Sequence, residues 1–466
     1  MDELSRKQKY LLEKLKRRSY PPEIAIRRIY EFLVEKPEEE SLDPMWKDIW
    51  DIYKRYAERA VPPDVIEEIE DIISQSLIKP VDDDIWKIKI DEDTKITFLL
   101  GAGASAPSGI PTVDKLLSEL WKRARKIGRE DLDKLAKWCN DRGIDNIEDL
   151  LTAAYISNFA ARNPNITALL DYFIFSGSRE LSYEEEFMFR RHKISRTPDI
   201  DVSSISFLQD TLQTLFGLLT STMISASPNQ THEAIVDFIK KHKKTSIITT
   251  NYDGCMDEAL LKAKIPIKGT ISGENEDNPN AVQLIKMHGS INWAYCDSCQ
   301  DVQEFDLLEL KRIYEEDKLS YPVIGICKKC GGLRRPLLIP PLSFKFLMFP
   351  HLIDIWNSAR QSIEEADYLI IVGYSFSEAD TYITKIISRS MSMSDDQKMI
   401  IVNTDPNLVP TLRDRFSAHI DGFDKKRILQ ACKSSDIILP KILDPMLDRK
   451  SSKKKSKSVG EKDKEG

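Results

Sequence analysis

Hydrophobic residues recur along this chain of 466 residues in two patterns, as short uninterrupted runs and as longer stretches with helical spacing. An apolar run of about five residues, bounded by polar or turn residues, is typical of a buried strand, whereas apolar residues three or four positions apart predict an amphipathic helix. Because the two patterns alternate, the sequence predicts an α/β protein with a Rossmann-like parallel sheet. Strands are predicted at 96–100, 246–249, 282–287, 335–341, 368–372 and 399–402.

Helical spacing and charge divide the rest of the chain into regions. Residues 1–90 carry apolar stripes and predict a helical N-terminal extension, which either packs on the rest of the chain or serves oligomerisation or partner docking. Residues 94–446 are predicted to form the main domain, with a helical insertion at 115–225. The lysine-rich residues 447–466 predict a disordered, solvated tail, for which contact with nucleic acid or anionic lipid is the alternative.

A glycine-rich turn, GAGASAPSGIP at 101–111, follows the first predicted strand, and helical spacing resumes at Thr112. Glycines let backbone N–H groups approach a pyrophosphate, and a helix N-terminus favours its negative charge. The turn therefore predicts a dinucleotide site. An ordinary turn is the alternative, because the segment lacks the GxGxxG spacing with a downstream acid.

Polar residues follow the next two strands at the points where those strands end. Asn251 and Asp253 come after one strand, and His288 comes after the other. Ligands of open α/β sheets bind beyond the carboxyl ends of the strands, and a histidine can accept a proton near neutral pH. We therefore expect chemistry at these positions, with helix capping by Asn251 and Asp253 and a structural role for His288 as the alternatives. The later strands end in the same way, at Gly373-Tyr-Ser375 and at Asn403.

Four of the seven cysteines form two CxxC pairs, Cys296 with Cys299 and Cys327 with Cys330. Each pair can present two thiolates to one tetrahedral zinc ion. The pattern predicts a structural zinc site in a module at 291–335. Catalytic zinc is disfavoured because four thiolates leave no open position, and a redox role for either pair is the minor alternative.

The bulk properties narrow the class of protein further. A net charge of −7 gives no overall basic surface for nucleic acid. No apolar run of about 18 residues predicts a membrane span, and the N-terminus lacks the apolar segment of a secretory signal. Together with the cysteine pattern, these features predict a cytoplasmic protein.

The motifs, taken in their order along the chain, resemble the sirtuin family. Alone each motif is weak, but the ordered set is specific. The motifs are GAGASAPSGIP (101–111), PNQTH (228–232), TTNYD (249–253), KMHGS (286–290), the two CxxC pairs, GYS (373–375) and VN (402–403).

The resemblance implies that NAD⁺ binds in a cleft between the Rossmann-like sheet and the zinc module. Asn251 and His288 would act at the nicotinamide ribose, whereas His232 matches a position that is usually structural. Other implied contacts are Ala102, Gly103 and Ser105 on the phosphate side, Ile110 and Asp253 at the nicotinamide carboxamide, Gly373 and Ser375 under the adenosine half and Asn403 near its ribose, with Gly101 and Pro111 completing the NAD⁺-binding set.

Some positions depart from the protein deacylases of the family. Thr-Val-Asp follows Pro111, so the aromatic residue and the arginine that shield and order the nicotinamide ribose are missing, and Thr250 replaces a glutamine. Pro340 and Pro341 lack N–H donors, so a peptide that added there as a strand would lose hydrogen bonds. These departures resemble prokaryotic sirtuin-like NAD hydrolases of anti-phage defence. That branch often has a reduced zinc module, so the cysteine pairs leave deacylation open.

Three functional hypotheses follow. The first is hydrolysis of NAD⁺ to nicotinamide and ADP-ribose by a defence effector. In this hypothesis Asn251 positions water or a ribose hydroxyl, His288 is the general base and Asp253 binds the carboxamide. A homo-oligomer formed through the N-terminal helices, the helical insertion, or a protein partner would restrain this activity. The second is NAD⁺-dependent protein lysine deacylation by the same residues. The third is an inactive NAD⁺- or ADP-ribose-binding module of a larger assembly.

Overall fold

The structure is a computed structural model that describes residues 81–151 and 215–447. Most of the predicted N-terminal extension, the middle of the helical insertion and the lysine-rich tail after residue 447 lie outside the described residues, so their predicted roles stay predictions. Further gaps fall at 129, 142–143, 145–146, 148–149, 216, 269–270, 272–274, 276, 297, 317–325, 333, 340–352, 377–379 and 421.

A seven-stranded parallel sheet forms the centre of the fold, with the strand order β10-β9-β8-β1-β2-β4-β3. The central strand β1 is buried along its whole length, as expected for an apolar run covered on both faces. The predicted Rossmann-like α/β class is therefore confirmed. The strands of this sheet are β1 (Ile96–Leu100), β2 (Thr245–Thr249), β3 (Ile267–Lys268), β4 (Val282–Lys286), β8 (Tyr368–Val372), β9 (Lys398–Val402) and β10 (Ile428–Ala431).

Helices cover both faces of this sheet. Neighbouring residues of a strand point to opposite faces, and the Phe98 ring packs edge-on against Phe238 with centroids 5.7 Å apart. Thr97 Oγ1 instead donates to the Ser362 carbonyl at 2.8 Å, on the other face. The described residues include the helices α1 (Ala102–Ser105), α2 (Val113–Ile127), α3 (Glu130–Asp141), α4 (Gln230–Lys241), α5 (Cys255–Lys262), α6 (Leu307–Glu316), α7 (Ile353–Glu364), α8 (Thr381–Met393), α9 (Leu408–His419) and α10 (Ser435–Met446).

A second, three-stranded antiparallel sheet follows β4. Its central strand β5 (Gly289–Cys296) pairs with β6 (Val302–Glu304) and with β7 (Arg334–Leu338). Residues 335–338 of the segment predicted as a strand at 335–341 thus lie in this small sheet, because they belong to β7. β5 begins directly after His288, so one continuous segment joins the edge of the large sheet to the cysteine module.

The helical pattern after the glycine turn is confirmed where the structure describes it. Helix α2 begins after Thr112 and buries Leu116, Leu117 and Leu120, and α3 buries Leu132 and Leu135 on its own apolar face. Within the described ranges, no helix combines the length and the apolar character that crossing a membrane requires.

Candidate functional site

The carboxyl ends of five neighbouring parallel strands lie at one edge of the large sheet. Leu100 of β1 pairs with Thr249 of β2 and with Val372 of β8, and Thr249 pairs in turn with Lys286 of β4. Asn251 and His288 therefore both lie two residues beyond paired positions on adjacent strands. The structure brings to this edge the predicted residues Gly101, Asn251, His288, Gly373 and Asn403.

The glycines of this edge let two strand-end turns pack backbone against backbone. The Gly101 N–H donates to the Val372 carbonyl, and the Gly103 N–H donates to the Gly373 carbonyl, each at 2.9 Å. Gly373 has a φ of +63°, and a Cβ atom built there would lie 2.3 Å from the Ala104 nitrogen. The close approach of the turns explains why these positions are glycine, whereas contact with a phosphate stays a prediction.

Asn251 connects the end of β2 to the glycine turn. Its Nδ2 atom donates to the Gly101 carbonyl at 2.9 Å and to Ser105 Oγ at 3.1 Å. Its backbone N–H donates to Thr249 Oγ1 at 3.0 Å. The Asn251 amide, which is half-buried, is thus held by bonds to the segment predicted to bind the dinucleotide.

Asn229, in the PNQTH motif, fixes the other side of the same turn. Its Nδ2 atom donates to the Ala104 carbonyl and to Ser108 Oγ, both at 2.9 Å. Its Oδ1 atom accepts the Thr231 N–H at 2.8 Å, and its own N–H donates to His232 Nδ1 at 3.2 Å, which completes a capping box. The resemblance of the PNQTH motif gave Asn229 no role, although an asparagine three residues before His232 is a capping signal.

His232, Asp253 and Cys255 form a buried cluster in which the possible ligand atoms lie within 4.8 Å of one another. Because His232 Nδ1 accepts a backbone N–H, the neutral ring carries its proton on Nε2 and presents a donor to the cluster, not a lone pair to a metal ion. Burial lowers the pKa of His232, against the opposing effect of Asp253. Burial also raises the pKa of the Cys255 thiol. The cluster is therefore suited to hydrogen bonding.

Asp253 takes part in a local bond as well. Its Oδ1 atom accepts the Cys255 N–H at 3.0 Å, so one of its two oxygens already bonds the first residue of α5, although Gly254 is the N-cap of that helix. Asp253 is buried. Its predicted contact with the nicotinamide carboxamide stays a prediction.

His288 is enclosed by aromatic and acidic side chains. Its Nε2 atom lies 3.2 Å from Asp380 Oδ2, which also accepts the Tyr374 hydroxyl at 3.1 Å. The Tyr252 ring centroid is 6.4 Å from the imidazole, and the Tyr252 hydroxyl donates to the Ile339 carbonyl at 2.8 Å. His288 and Asp380 are 5% and 3% exposed. Asp380 could not be found from the sequence, because an acid before a helix carries no signal beyond capping.

A buried ion pair lies beside the strand end that carries His288. Lys286 Nζ is 2.5 Å from Asp257 Oδ1 and donates to Ser290 Oγ at 2.9 Å and to Asn292 Oδ1 at 3.1 Å. A buried charge is tolerated when it is paired and hydrogen-bonded. The pair ties the end of β4 to α5, the helix that follows Asn251, and so fixes both candidate residues relative to each other.

The remaining predicted NAD⁺-binding residues differ in exposure. Ala102, Gly103 and Pro111 are partly exposed, whereas Ser105 and Ile110 are buried. Their predicted roles stay predictions. Among the residues beyond β8 and β9, Ser375 is exposed and Asn403 Nδ2 donates to the Tyr374 carbonyl at 3.0 Å.

The two cysteine pairs converge at the far end of β5. The Sγ atoms of Cys296 and Cys330 are 3.4 Å apart, and those of Cys299 and Cys327 are 3.5 Å apart. All four sulfur atoms lie within 4.8 Å of one another. This arrangement of four thiols fits one tetrahedral zinc ion in a closed, structural site.

Arg334 supplies a positive charge beside these sulfur atoms. Its guanidinium lies 3.5 Å from Cys327 Sγ and 2.5 Å from Asp301 Oδ2. Four thiolates around a divalent ion leave a net negative charge, which a buried guanidinium offsets. Arg334 could not be identified from the sequence, since its contact depends on the pairing of β5 with β7.

These features define a Rossmann-like α/β protein with polar groups at the carboxyl edge of its sheet and a four-cysteine module. Residues 245–322 match a family model described as a SIR2-like domain. This match agrees with the ordered motifs, which resemble the sirtuin family.

Curated relatives are similar to parts of the chain. An NAD-dependent protein deacetylase 2 of Caldanaerobacter subterraneus subsp. tengcongensis is 26% identical over 160 residues, which are 34% of this chain and 50% of that protein. An NAD-dependent protein deacetylase of Clostridium tetani is 26% identical over 197 residues, 41% of this chain and 64% of that protein. The chain thus spans about half to two thirds of the length of the curated relatives it matches.

Solved structures are similar at lower identity. A complex of a Sir2 homologue with NAD is 16% identical with a TM-score of 0.40, and the match covers 78% of this chain and 93% of that chain. A Sir2 structure bound to a propionylated peptide is 15% identical with a TM-score of 0.33, covering 75% of this chain and 92% of that chain.

Proposed function

We propose that this chain is an NAD⁺-consuming enzyme that cleaves the bond between nicotinamide and ribose at the carboxyl edge of its large sheet. The main support for this proposal is that Asn251 and His288 lie beyond paired positions of the adjacent strands β2 and β4. Asn251 also contacts the glycine turn through Gly101 and Ser105. An amide, an imidazole and a backbone turn thus meet where open α/β sheets bind ligands.

In the proposed mechanism, the nicotinamide ring leaves as the ribose gains positive character, and an acceptor oxygen bonds to the ribose C1′ atom. Asn251 orients the acceptor or a ribose hydroxyl, and Asp253 contacts the carboxamide. His288 takes the proton that the acceptor or the ribose hydroxyl loses, a role worth about 10²–10⁴-fold in rate. The cysteine module would hold zinc as a structural ion, since four thiolates leave no position for substrate.

One acceptor is the oxygen of an acylated lysine, which would make the chain a protein deacylase. The names of the relatives support this candidate, because both are NAD-dependent protein deacetylases. The comparisons with known proteins thus favour deacylation over the hydrolysis that the sequence analysis put first.

The other acceptor is water, which would yield nicotinamide and ADP-ribose. The backbone of Ile339 supports this candidate, because its N–H donates to the His288 carbonyl and its carbonyl accepts the Tyr252 hydroxyl, each at 2.8 Å. Pro340 and Pro341, which follow, have no N–H groups. A peptide that paired as a strand with these two positions would therefore receive no hydrogen bond from either of them.

One assay separates these candidates. The purified full chain is incubated with NAD⁺ alone and with NAD⁺ plus an acetylated lysine peptide, and nicotinamide, ADP-ribose and deacylated peptide are measured. ADP-ribose without peptide supports hydrolysis, whereas nicotinamide release that requires peptide supports deacylation.

Two variants and a control complete the assay. Both His288→Ala and Asn251→Ala are expected to lose turnover, while His419→Ala, which changes an exposed histidine of α9, keeps it. NAD⁺ binding without turnover under both conditions would contradict the proposal and favour the inactive binding module. A defence role, a trigger and an oligomer formed through the N-terminal helices stay predictions.

A further inference from the structure

Asp380 occupies the N-cap position of α8, yet its carboxylate does not cap that helix. The residue has φ −99° and ψ 53° and makes no side-chain capping bond. An aspartate at this position ordinarily accepts a backbone N–H of the first turn, which stabilises a helix by about 0.5–2 kcal/mol. The Asp380 carboxylate is turned instead towards His288 and Tyr374.

The surroundings of Asp380 favour its ionised form. The side chain is 3% exposed, and a buried carboxylate is stable only when donors compensate its charge. Tyr374 donates its hydroxyl to Oδ2 at 3.1 Å, and His288 Nε2 lies 3.2 Å from the same oxygen. The N-terminal end of the thirteen-residue helix α8 adds a favourable electrostatic contribution.

An ionised carboxylate can only accept hydrogen bonds, so its imidazole partner must donate. The proton of neutral His288 is then on Nε2, and the lone pair is on Nδ1. We propose that Asp380 is the positioning residue of the base, an inference that rests on the proposed function. Asp380 fixes the tautomer in which His288 Nδ1 accepts the proton, and it stabilises the imidazolium that forms.

Titratable side chains from two segments of the chain face the His288 ring. Asp380 and Tyr374 face the ring from the segment between β8 and α8, and Tyr252 faces it from the end of β2. Lys286, two residues earlier, directs its ammonium to Asp257. The Asp380 carboxylate is therefore an opposite charge in direct contact with the His288 ring, and such a contact favours the protonated form of a histidine.

Nitrogen NMR of the full chain, labelled with ¹⁵N at histidine, tests the tautomer without any substrate. The chain has only six histidines, and the His288→Gln variant assigns the signals of interest. The expected spectrum shows the Nε2–H tautomer above the pKa of His288. Asp380→Asn is expected to lower that pKa and to reduce the preference for this tautomer. Ser390→Ala, on the same helix, is the control that leaves the His288 signals unchanged.

The second measurement is steady-state kinetics with NAD⁺. The acetylated peptide is added if turnover requires it. Asp380→Asn is expected to lower kcat by up to the roughly 10²–10⁴-fold that a general base contributes, with little change in KM for NAD⁺. The acid limb of its pH profile should shift to lower pH, because the base now loses its proton at lower pH. Tyr374→Phe keeps the carboxylate, so its loss of kcat should be smaller, and it serves as a second variant if Asp380→Asn folds poorly.

The outcomes distinguish the two proposals. An Nδ1–H tautomer of His288 in the unmodified protein would overturn the role of Asp380. The same conclusion would follow if Asp380→Asn changed neither the His288 signals nor the acid limb of the pH profile. Loss of NAD⁺ cleavage in His288→Ala would still support the proposed function in that case. Full activity of His288→Ala would overturn both proposals, whatever the spectra show.

Discussion

The carboxyl edge of the large sheet and the four-cysteine module place their polar groups by different means. At the edge of the sheet, the backbone pairing of β1, β2, β4 and β8 aligns the strand ends before any ligand binds. In the module, four sulfur atoms from two short turns converge at the end of β5, and two of these cysteines are exposed. The first region is fixed by hydrogen bonds and close glycine contacts, and the second by four thiols suited to hold an ion.

The two regions lie at opposite ends of β5, and this connection makes the comparison between them testable. β5 begins at Gly289, next to His288, and ends at Cys296. If the two regions are independent, a change at one end should leave the property of the other intact. We expect chemistry to depend on the edge of the sheet and stability to depend on the module.

The largest expected effect is the loss of activity in His288→Ala without loss of metal. Removing the proposed base should lower NAD⁺ cleavage by about 10²–10⁴-fold, while zinc content by metal analysis stays at about one ion per chain. Nicotinamide release and bound zinc are measured on the same preparation. Zinc loss together with activity loss would show that the two ends of β5 are not independent.

The reverse change is Cys327→Ser, which removes a buried thiol of the module. We expect bound zinc to be lost and the melting temperature to fall. The fall should be less than about 2–4 °C for each kcal/mol of lost stability, because that shift is typical of domains of 150–250 residues and the main domain is larger. Chelation of the unmodified chain should have a similar effect. The control is Cys432→Ser, because Cys432 lies outside the module. A Cys327→Ser protein with unchanged zinc and melting temperature would contradict a structural zinc site.

The sequence predicted the edge of the sheet better than its surroundings. An unbroken apolar run such as Ile96–Leu100 is what a strand buried on both faces requires, and parallel strands bring their carboxyl ends to one edge. The meeting of Asn251 and His288 could therefore be expected from local patterns alone. The cysteine cluster was predictable for a similar reason, because CxxC spacing restricts the positions of both sulfur atoms.

Contacts between distant positions could not be predicted in this way. Asp380 meets His288 across a long stretch of sequence, and its position before a helix predicts only capping. The Tyr252–Ile339 bond depends on how β7 pairs with β5, which the pattern of apolar residues does not specify. The two-residue strand β3 (Ile267–Lys268) is too short to give a periodic signal, and β10 contains Gln430 within an otherwise apolar run.

Two glycines with positive φ, one in each region, allow the two regions to be compared by the same substitution. Gly373 has φ +63° and lies against Gly103 and Ala104, whereas Gly331, between the cysteines and β7, has φ +75° and nothing within 4 Å of a built Cβ atom. Alanine at either position costs about 1–2 kcal/mol for its backbone conformation. At Gly373 the steric overlap adds about 1–3 kcal/mol and moves the glycine turn.

Urea unfolding and NAD⁺ titration of Gly373→Ala and Gly331→Ala measure this difference. Gly373→Ala should lose more stability and should also weaken NAD⁺ binding, while Gly331→Ala should lose stability alone. Equal losses in the two variants would indicate that close packing of the turns does not contribute to the edge of the sheet.

The smallest expected effect concerns the pH dependence of stability near His232. Burial lowers the pKa of this histidine in the folded protein below its ordinary value of 6.5. The unfolded chain then binds more protons than the folded one as pH falls below 6.5, so the free energy of unfolding decreases with decreasing pH. For one proton the slope is at most about 1.4 kcal/mol per pH unit, and it ends once pH falls through the lowered pKa.

His232→Gln isolates this contribution because it removes the titration and keeps the cap. The glutamine oxygen can accept the Asn229 N–H that His232 Nδ1 accepts in the native protein, since glutamine is a normal third residue of a capping box. Urea unfolding at a series of pH values from about 7 to 5 should therefore show a shallower decline for His232→Gln than for the unmodified chain. His419→Gln, at an exposed position, should leave the decline unchanged. If the free energy of unfolding declined equally with pH in all three proteins, His232 would take up its proton in the folded state as readily as in the unfolded chain. The buried cluster with Asp253 would then tolerate the charged ring.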